Sequence, residues 1–264
     1  MSDAGSADDR RIEFTGALGD SLAARLDEPE GDAQAYALFA HCFTCSKDIP
    51  AATRIAQSLA ERGIGVMRFD FTGLGHSQGE FENTTFSSNV GDLVAAANWL
   101  RDERQAPRIL IGHSLGGAAV LAAALRIAES VAVATIGAPA DPEHVTKLLG
   151  GAANDIERTG RAEVSIGGRP FTIGKGLLDD LRAQDPATTI GNLGRALMIF
   201  HAPGDSVVGI DNAARIFGWA KHPKSFVSLD TADHLVRKSR DAQFIADVLA
   251  AWASRFIGTG RRAD

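Results

Sequence analysis

Cysteine is almost absent from this chain. Only Cys42 and Cys45 occur in 264 residues, too few for the disulfide framework of a small secreted domain, so a reducing, cytoplasmic setting is the default expectation. An excess of positive charge is missing as well. Lys and Arg number 27 against 33 Asp and Glu, and the net charge of −6 argues against nucleic-acid binding, which needs clustered basic residues, and disfavours an anionic membrane surface. No run approaches the roughly 18 consecutive apolar residues of a membrane-spanning helix. The opening MSDAGSADDR carries neither a basic n-region nor an apolar h-region. A secretory leader is therefore not expected, and residues 1–10 read as a disordered lead. Internal repeats and low-complexity tracts are also lacking.

What is present is an alternation of short apolar runs and longer amphipathic segments. Strands are expected near 11–15, 22–27, 36–40, 65–70, 108–112, 131–137, 196–201 and 225–229, and helices near 51–62, 90–103, 117–129, 212–219 and 244–256. Continuous apolar strands such as RILIG and ALMIF suit a mostly parallel sheet covered by helices on both faces. The first two strands alternate apolar and polar residues across the turn-like GALGDS and read as an antiparallel hairpin at the sheet edge. Residues 139–190 break the rhythm. They hold a hairpin-like AEVSIGGRPFTI and a helix-like LLDDLRAQ, and are too long for an ordinary connection. They are expected to form a cap after the sixth strand, where Leu148, Leu149, Phe171, Leu177 and Leu178 suggest a partly apolar pocket.

The main chemical signal is Gly112-His113-Ser114-Leu115-Gly116, followed by Gly117. It lies between the strand RILI and the helical GAAVLAAALRIAE, the strand–turn–helix context of a nucleophile elbow. A serine held on so sharp a turn needs neighbours without Cβ atoms, and the following helix aims its N-terminus at the reacting centre. A serine hydroxyl needs a base, and the base an orienting carboxylate. His234 follows the last strand at the sheet edge where the elbow sits, whereas His201 reads as a strand-end packing residue and His113 as a support of the turn. Asp205, in HAPGDSVV, turns back over the end of its strand. Asp141, Asp211 and Asp233 are its rivals. The order Ser114, Asp205, His234 is the one an α/β sheet of this kind uses.

GHSLGG, HAPGDSVV, TADHLV and RFDFTGLGHS together resemble the α/β-hydrolase superfamily, especially its small esterases and lipases, over residues 11–257. More narrowly, the stretch from AHCFTCSKDIP to GHSQGEF is similar to the hydrolase half of bacterial hydrolase–OsmC fusion proteins. The resemblance implies an α/β-hydrolase fold with an eight-stranded sheet. Its core would be 11–138 and 191–257, its cap 139–190 and its flexible tail 258–264. It implies a Ser114–Asp205–His234 triad hydrolysing carboxylic or thioesters without metal or cofactor, on a small-molecule ester substrate, with a link to an OsmC-type domain. The oxyanion hole falls to the main-chain N–H groups of Leu115 and Phe43. The family's His-Gly-x is here His41-Cys42-Phe43, with cysteine in place of glycine. Asp70-Phe71-Thr72-Gly73-Leu74-Gly75-His76-Ser77 resembles the family's structural D-x-x-G-x-G-x-S turn.

Two readings stay open for Cys42-x-x-Cys45. The pair is either two small side chains in a tight loop or a redox pair, in which case the protein is a redox-linked or interaction module on a hydrolase fold. A zinc site would need a second pair of ligands. The residues leave a homo-oligomer open.

Overall fold

The computed structural model describes residues 11–166 and 168–258. The expected lead at 1–10 and residues 259–264 of the expected tail lie outside the described residues. The strands are β1 (Arg11–Thr15), β2 (Ser21–Asp27), β3 (Ala35–Ala40), β4 (Ile64–Phe69), β5 (Pro107–His113), β6 (Ala132–Ile136), β7 (Arg161–Ile166), β8 (Arg169–Gly174), β9 (Ala196–His201) and β10 (Lys224–Ser228). Eight of them form one sheet in the order β1-β2-β4-β3-β5-β6-β9-β10. The pairings from β4 to β10 are parallel, and the β1–β2 hairpin joins antiparallel through β2 and β4. This is the α/β-hydrolase fold anticipated from the sequence.

The helices are α1 (Pro50–Ala60), α2 (Phe86–Glu103), α3 (Leu115–Ala123), α4 (Ala152–Thr159), α5 (Lys175–Arg182), α6 (Pro186–Gly191), α7 (Asp211–Trp219) and α8 (Ser239–Ile257). β3, β5, β6 and β9 bury both faces, which is why their sequences read as unbroken apolar runs. One core joins the sheet to α1 and α8, through residues such as Ile55, Leu59, Ile245 and Leu249. The other joins the opposite face to α2, α3 and α7, through Leu93, Leu100, Val120 and Ile216. Pro50 opens α1, where its missing N–H costs no helical bond. α2 begins at a capping box between Thr85 and Ser88. No helix among the described residues is long and apolar enough to cross a membrane.

Residues 139–190 leave the sheet after β6. They contribute a 3₁₀ segment (Pro142–Leu149), α4, the separate two-stranded sheet of β7 and β8, α5 and α6. Leu149, Leu177 and Leu178 are at most 4% exposed and belong to the core that contains α2 and α3, so they are not the pocket wall the sequence suggested. The buried faces of α5 and the 3₁₀ segment seat this excursion on the sheet's helical layer. Asp180 fastens α5 to the start of α2 by accepting from the N–H and hydroxyl of Ser87 at 2.6 and 2.8 Å.

Candidate active site

Three carboxyl-end segments meet above the middle of the sheet: the β5–α3 turn, the loop after β9 and the loop after β10. Ser114 occupies the turn with φ +54° and ψ −125°, a conformation L-residues seldom adopt. Its N–H donates to the Ile136 carbonyl at 2.9 Å, and its carbonyl accepts from Gly117 N–H at 2.8 Å. The glycines are dictated by space. A Cβ on Gly112 would sit 2.2 Å from the Gly116 carbonyl oxygen, and one on Gly116 would sit 2.4 Å from the carbonyl oxygens of both Ala40 and His41. The elbow therefore lies directly against the loop that leaves β3. Leu115 is the first residue of α3 and carries one of the N–H groups a helix start leaves unpaired.

His234 Nε2 stands 3.0 Å from Ser114 Oγ, and His234 Nδ1 stands 2.7 Å from Asp205 Oδ2. The Nδ1 proton donates to the carboxylate, which leaves the Nε2 lone pair to accept from the serine hydroxyl. Asp205 Oδ1 accepts from the N–H groups of Val207 and Val208 at 2.8 and 2.9 Å. Burial by itself would raise the Asp205 carboxyl. The His234 hydrogen bond and the two N–H donors outweigh it and hold the group below the usual carboxylate range. The geometry thus joins the three residues singled out in the sequence. The rival carboxylates are engaged elsewhere. Asp233 accepts from Arg237 N–H, and Asp141 caps the 3₁₀ segment through Glu143 N–H. Asp211 opens α7 without acting as its side-chain cap.

The two histidines passed over as the base, His113 and His201, support this arrangement. His113 is 2% exposed and lies 2.7 Å from the His234 carbonyl through Nε2. Burial, and then the neighbouring His234, pushes its pKa down to about 4, so at neutral pH it is an uncharged donor to that carbonyl. His201, fully buried, meets the Val208 carbonyl at 2.8 Å through Nε2 and so braces the loop that holds Asp205.

On the other side of Ser114 runs the loop 41–47. Cys42 and Cys45 are joined by a disulfide that brackets Phe43 and Thr44. A low cysteine count excludes a framework of bridges but not this single local one. Thr44 has φ +61°, strained for a β-branched residue. It is held by its own hydroxyl on the Phe43 carbonyl at 2.7 Å and by Arg169 on its carbonyl at 3.2 Å. The Phe43 ring meets Phe81, and Phe81 meets Phe171 of the excursion, with centroids 5.7 and 5.5 Å apart.

The base of this loop rests on a buried ion pair that sequence reading missed, since its partners lie 23 positions apart. Lys47 Nζ is 2.7 Å from Asp70 Oδ2, and Lys47 N–H donates to Oδ1 at 2.6 Å. The two side chains are 3% and 0% exposed. Burial would raise Asp70, but Lys47 and the His76 N–H bring it below its ordinary value. The D-x-x-G-x-G-x-S turn is therefore structural. A Cβ on Gly75 would fall 2.3 Å from the Asp70 carboxylate. No group of three or more His, Cys, Asp or Glu side chains suited to a metal occurs among the described residues.

A family model described as serine aminopeptidase, S33, matches residues 38–159. The esterase domain of a Rhodothermus marinus protein is 49% identical, with 94% of this chain and 98% of that one covered at a TM-score of 0.78. The chain belongs to the α/β-hydrolase superfamily. Within it, the hydrolase falls among serine hydrolases with esterase and thioesterase relatives. Est1E from Butyrivibrio proteoclasticus, solved with ferulic acid, shares the fold at a TM-score of 0.78 and 16% identity, with 94% of the hydrolase and all of that chain covered (100%). Human palmitoyl-protein thioesterase ABHD10, a mitochondrial protein, is 38% identical over 98 residues, 37% of the hydrolase and 31% of that protein. The protein YfhR of Salmonella typhi is 25% identical over 181 residues, 67% of the hydrolase and 57% of that protein. The matched stretches thus span less than three fifths of these two curated relatives.

Proposed function

We propose that the hydrolase cleaves small carboxylic esters, with thioesters as the nearest variation, through an acyl-enzyme on Ser114. The observation that carries this reading is the unbroken chain from Ser114 Oγ to His234 to Asp205, at 3.0 and 2.7 Å. His234 takes the serine proton as Oγ adds to the ester carbonyl. The carbonyl oxygen gains negative charge and accepts from the N–H groups of Leu115 and Phe43, aided by the positive end of α3. The imidazolium, steadied by Asp205, protonates the departing alcohol or thiol as the carbon–oxygen or carbon–sulfur bond breaks. Water then adds to the acyl-enzyme by the same steps in reverse, releasing the acid and restoring the hydroxyl. Every proton is carried by His234, so no metal or organic cofactor enters the scheme. The excursion at 139–190 serves as the cap over this site, reaching it through Phe171 and Arg169.

The test is Ser114→Ala assayed on p-nitrophenyl esters of increasing acyl length, beside labelling by a fluorophosphonate probe. Activity should fall by about 10⁴-fold or more, and the label should attach to wild type alone. Near-normal turnover by the variant would sink the assignment.

A second reading is favoured by the Cys42–Cys45 bridge, which brackets the residue meant to supply an oxyanion donor. A dithiol delivering two electrons and two protons would open it and free Thr44 to relax, withdrawing the Phe43 N–H. Ester turnover that falls on adding dithiothreitol, with the Cys45→Ser variant fixed at the lower rate, supports this redox control. Equal rates with and without reductant exclude it. A cytoplasmic setting, rested on the low cysteine count, and association with an OsmC-type domain, rested on the sequence resemblance, belong to the same proposal. Co-purification with such a domain tests the latter.

A further inference from the structure

β10 ends the sheet, paired with β9 on one side and with no strand of the described residues on the other. Its bonds to β9 begin at the Pro223 carbonyl, which accepts from Leu197 N–H at 3.0 Å. They end at the Leu229 N–H, which donates to the His201 carbonyl at 2.9 Å. Alternate residues serve one side of a parallel strand, so Pro223, Ser225, Val227 and Leu229 face β9. Lys224, Phe226 and Ser228 turn their main-chain N–H and C=O groups outward. A bare edge invites pairing with another strand, and proteins commonly guard it with an outward lysine. Here that lysine is turned back onto α7. Lys224 Nζ lies over the Phe217 ring and donates to the carbonyls of Phe217 and Ala220 at 2.6 and 2.8 Å. Phe226, in the middle of the edge, is 44% exposed. It borders an open apolar groove of about 400 Å³ against Ile210, Ala214, Phe217 and Gly218. These four recur at helical spacing, so α7 carries an outer apolar stripe beside the one that Ala213, Ile216 and Ala220 bury in the core.

We infer that this edge is the interface of a symmetric homodimer, in which β10 pairs antiparallel with β10 of a second copy about a two-fold axis at Phe226. The two Phe226 residues then exchange main-chain bonds, and Lys224 of each copy does so with Ser228 of the other. All three outward-facing residues are satisfied at once. In that register His222, with Lys221 beside it, comes opposite Asp230 of the other copy, and all three are exposed. The basic end of each edge therefore meets the acidic end of its twin. A two-fold interface needs such self-complementarity, and an unrelated strand does not supply it. On the α7 side the two Phe226 rings and the outer stripes cover one another, which removes an exposed apolar patch from water.

The experiment is sedimentation velocity of the full chain, wild type beside Phe226→Lys, at concentrations up to about 100 μM, where a micromolar dimer is populated. Wild type should sediment at twice the mass of one chain. The variant, with an unchanged far-UV circular dichroism spectrum, should need at least about tenfold more protein to do so, because like charges would stand opposite each other on the edge. A monomeric wild type overturns the inference and leaves the edge to a different partner. An open-ended series of larger species also overturns it, since a two-fold contact closes at two copies. So does a dimer that Phe226→Lys leaves intact, which moves the interface to another face. If Phe226→Lys does not fold, Phe226→Cys decides. Mild oxidation should give a covalent dimer on a non-reducing gel, because the paired Cα atoms would lie about 5.5 Å apart. Phe244→Cys, at a ring 45% exposed on α8, should give none. Equal cross-linking of the two, or none by Phe226→Cys, overturns the pairing.

Discussion

The side chain of His113 donates to the main-chain carbonyl of His234, 2.7 Å away. The residue before Ser114 thus anchors the backbone of the residue proposed as its base. The bond requires a neutral His113, and the pKa of about 4 secures that.

That shift has a consequence for acid stability. The unfolded chain protonates His113 below about 6.5, whereas the fold resists until about 4, so the unfolded state binds more protons between those values. Stability should fall as pH drops through this window, by roughly 3 kcal/mol from this residue at 1.36 kcal/mol per pKa unit. His41, lowered chiefly by burial, acts in the same direction. Chemical unfolding at pH 7 and pH 4 measures the total, and His113→Asn should flatten the curve. An unchanged pH slope in that variant would contradict the assignment.

Asp205 is predicted to act through His234. In Asp205→Asn the ring could present the wrong tautomer to Ser114, and kcat should drop by about 10³–10⁴-fold with a much smaller change in KM. The native Asp205 is held below its ordinary pKa, so protonation of this carboxyl should cost the wild type no activity until the pH falls below the usual carboxylate range. A loss under tenfold in the variant would return attention to the other carboxylates.

Gly116→Ala places a methyl group 2.4 Å from two main-chain oxygens on the neighbouring loop. Backbone cannot swing aside as a side chain can. The expected result is a stability loss of about 1–3 kcal/mol and, because the loop carrying Phe43 must shift, a fall in kcat of about 10²-fold. Melting temperature and ester turnover check the two parts independently.

Lys47→Met leaves the Asp70 carboxylate buried without its cation. Breaking one side of such a pair costs roughly 3–5 kcal/mol, and replacing both partners with apolar residues costs much less. Urea unfolding of Lys47→Met beside Lys47→Met/Asp70→Leu should show that order. Equal destabilisation by the two would mean that the pair itself, not the stranded charge, sets the cost.

The sheet, its flanking helices and the elbow were legible because each depends on local pattern. Buried strands read as apolar runs, and Ser114 sat where a strand gives way to a helix between glycines. His234 and Asp205 followed from their places at strand ends. Less legible was whatever depends on distant partners. Lys47 looks like a surface lysine until Asp70 is folded onto it. Asn89 falls just outside the helix expected at 90–103, and only the longer α2 closing over the 41–47 loop sets it beside the same cleft as His41. The leucines of 139–190 carried the right hydrophobicity but the wrong destination, since periodicity cannot say whether an apolar face seals a core or lines a pocket.

Arg169 and Phe171 tie the excursion's hairpin to Thr44 and, through Phe81, to Phe43. The part of the molecule that would select a substrate is thus mechanically continuous with the part that would stabilise the developing charge. Exchanging that hairpin for a relative's would change catalytic rate together with substrate preference, so new specificity in this scaffold is reached more freely from residues outside the hairpin.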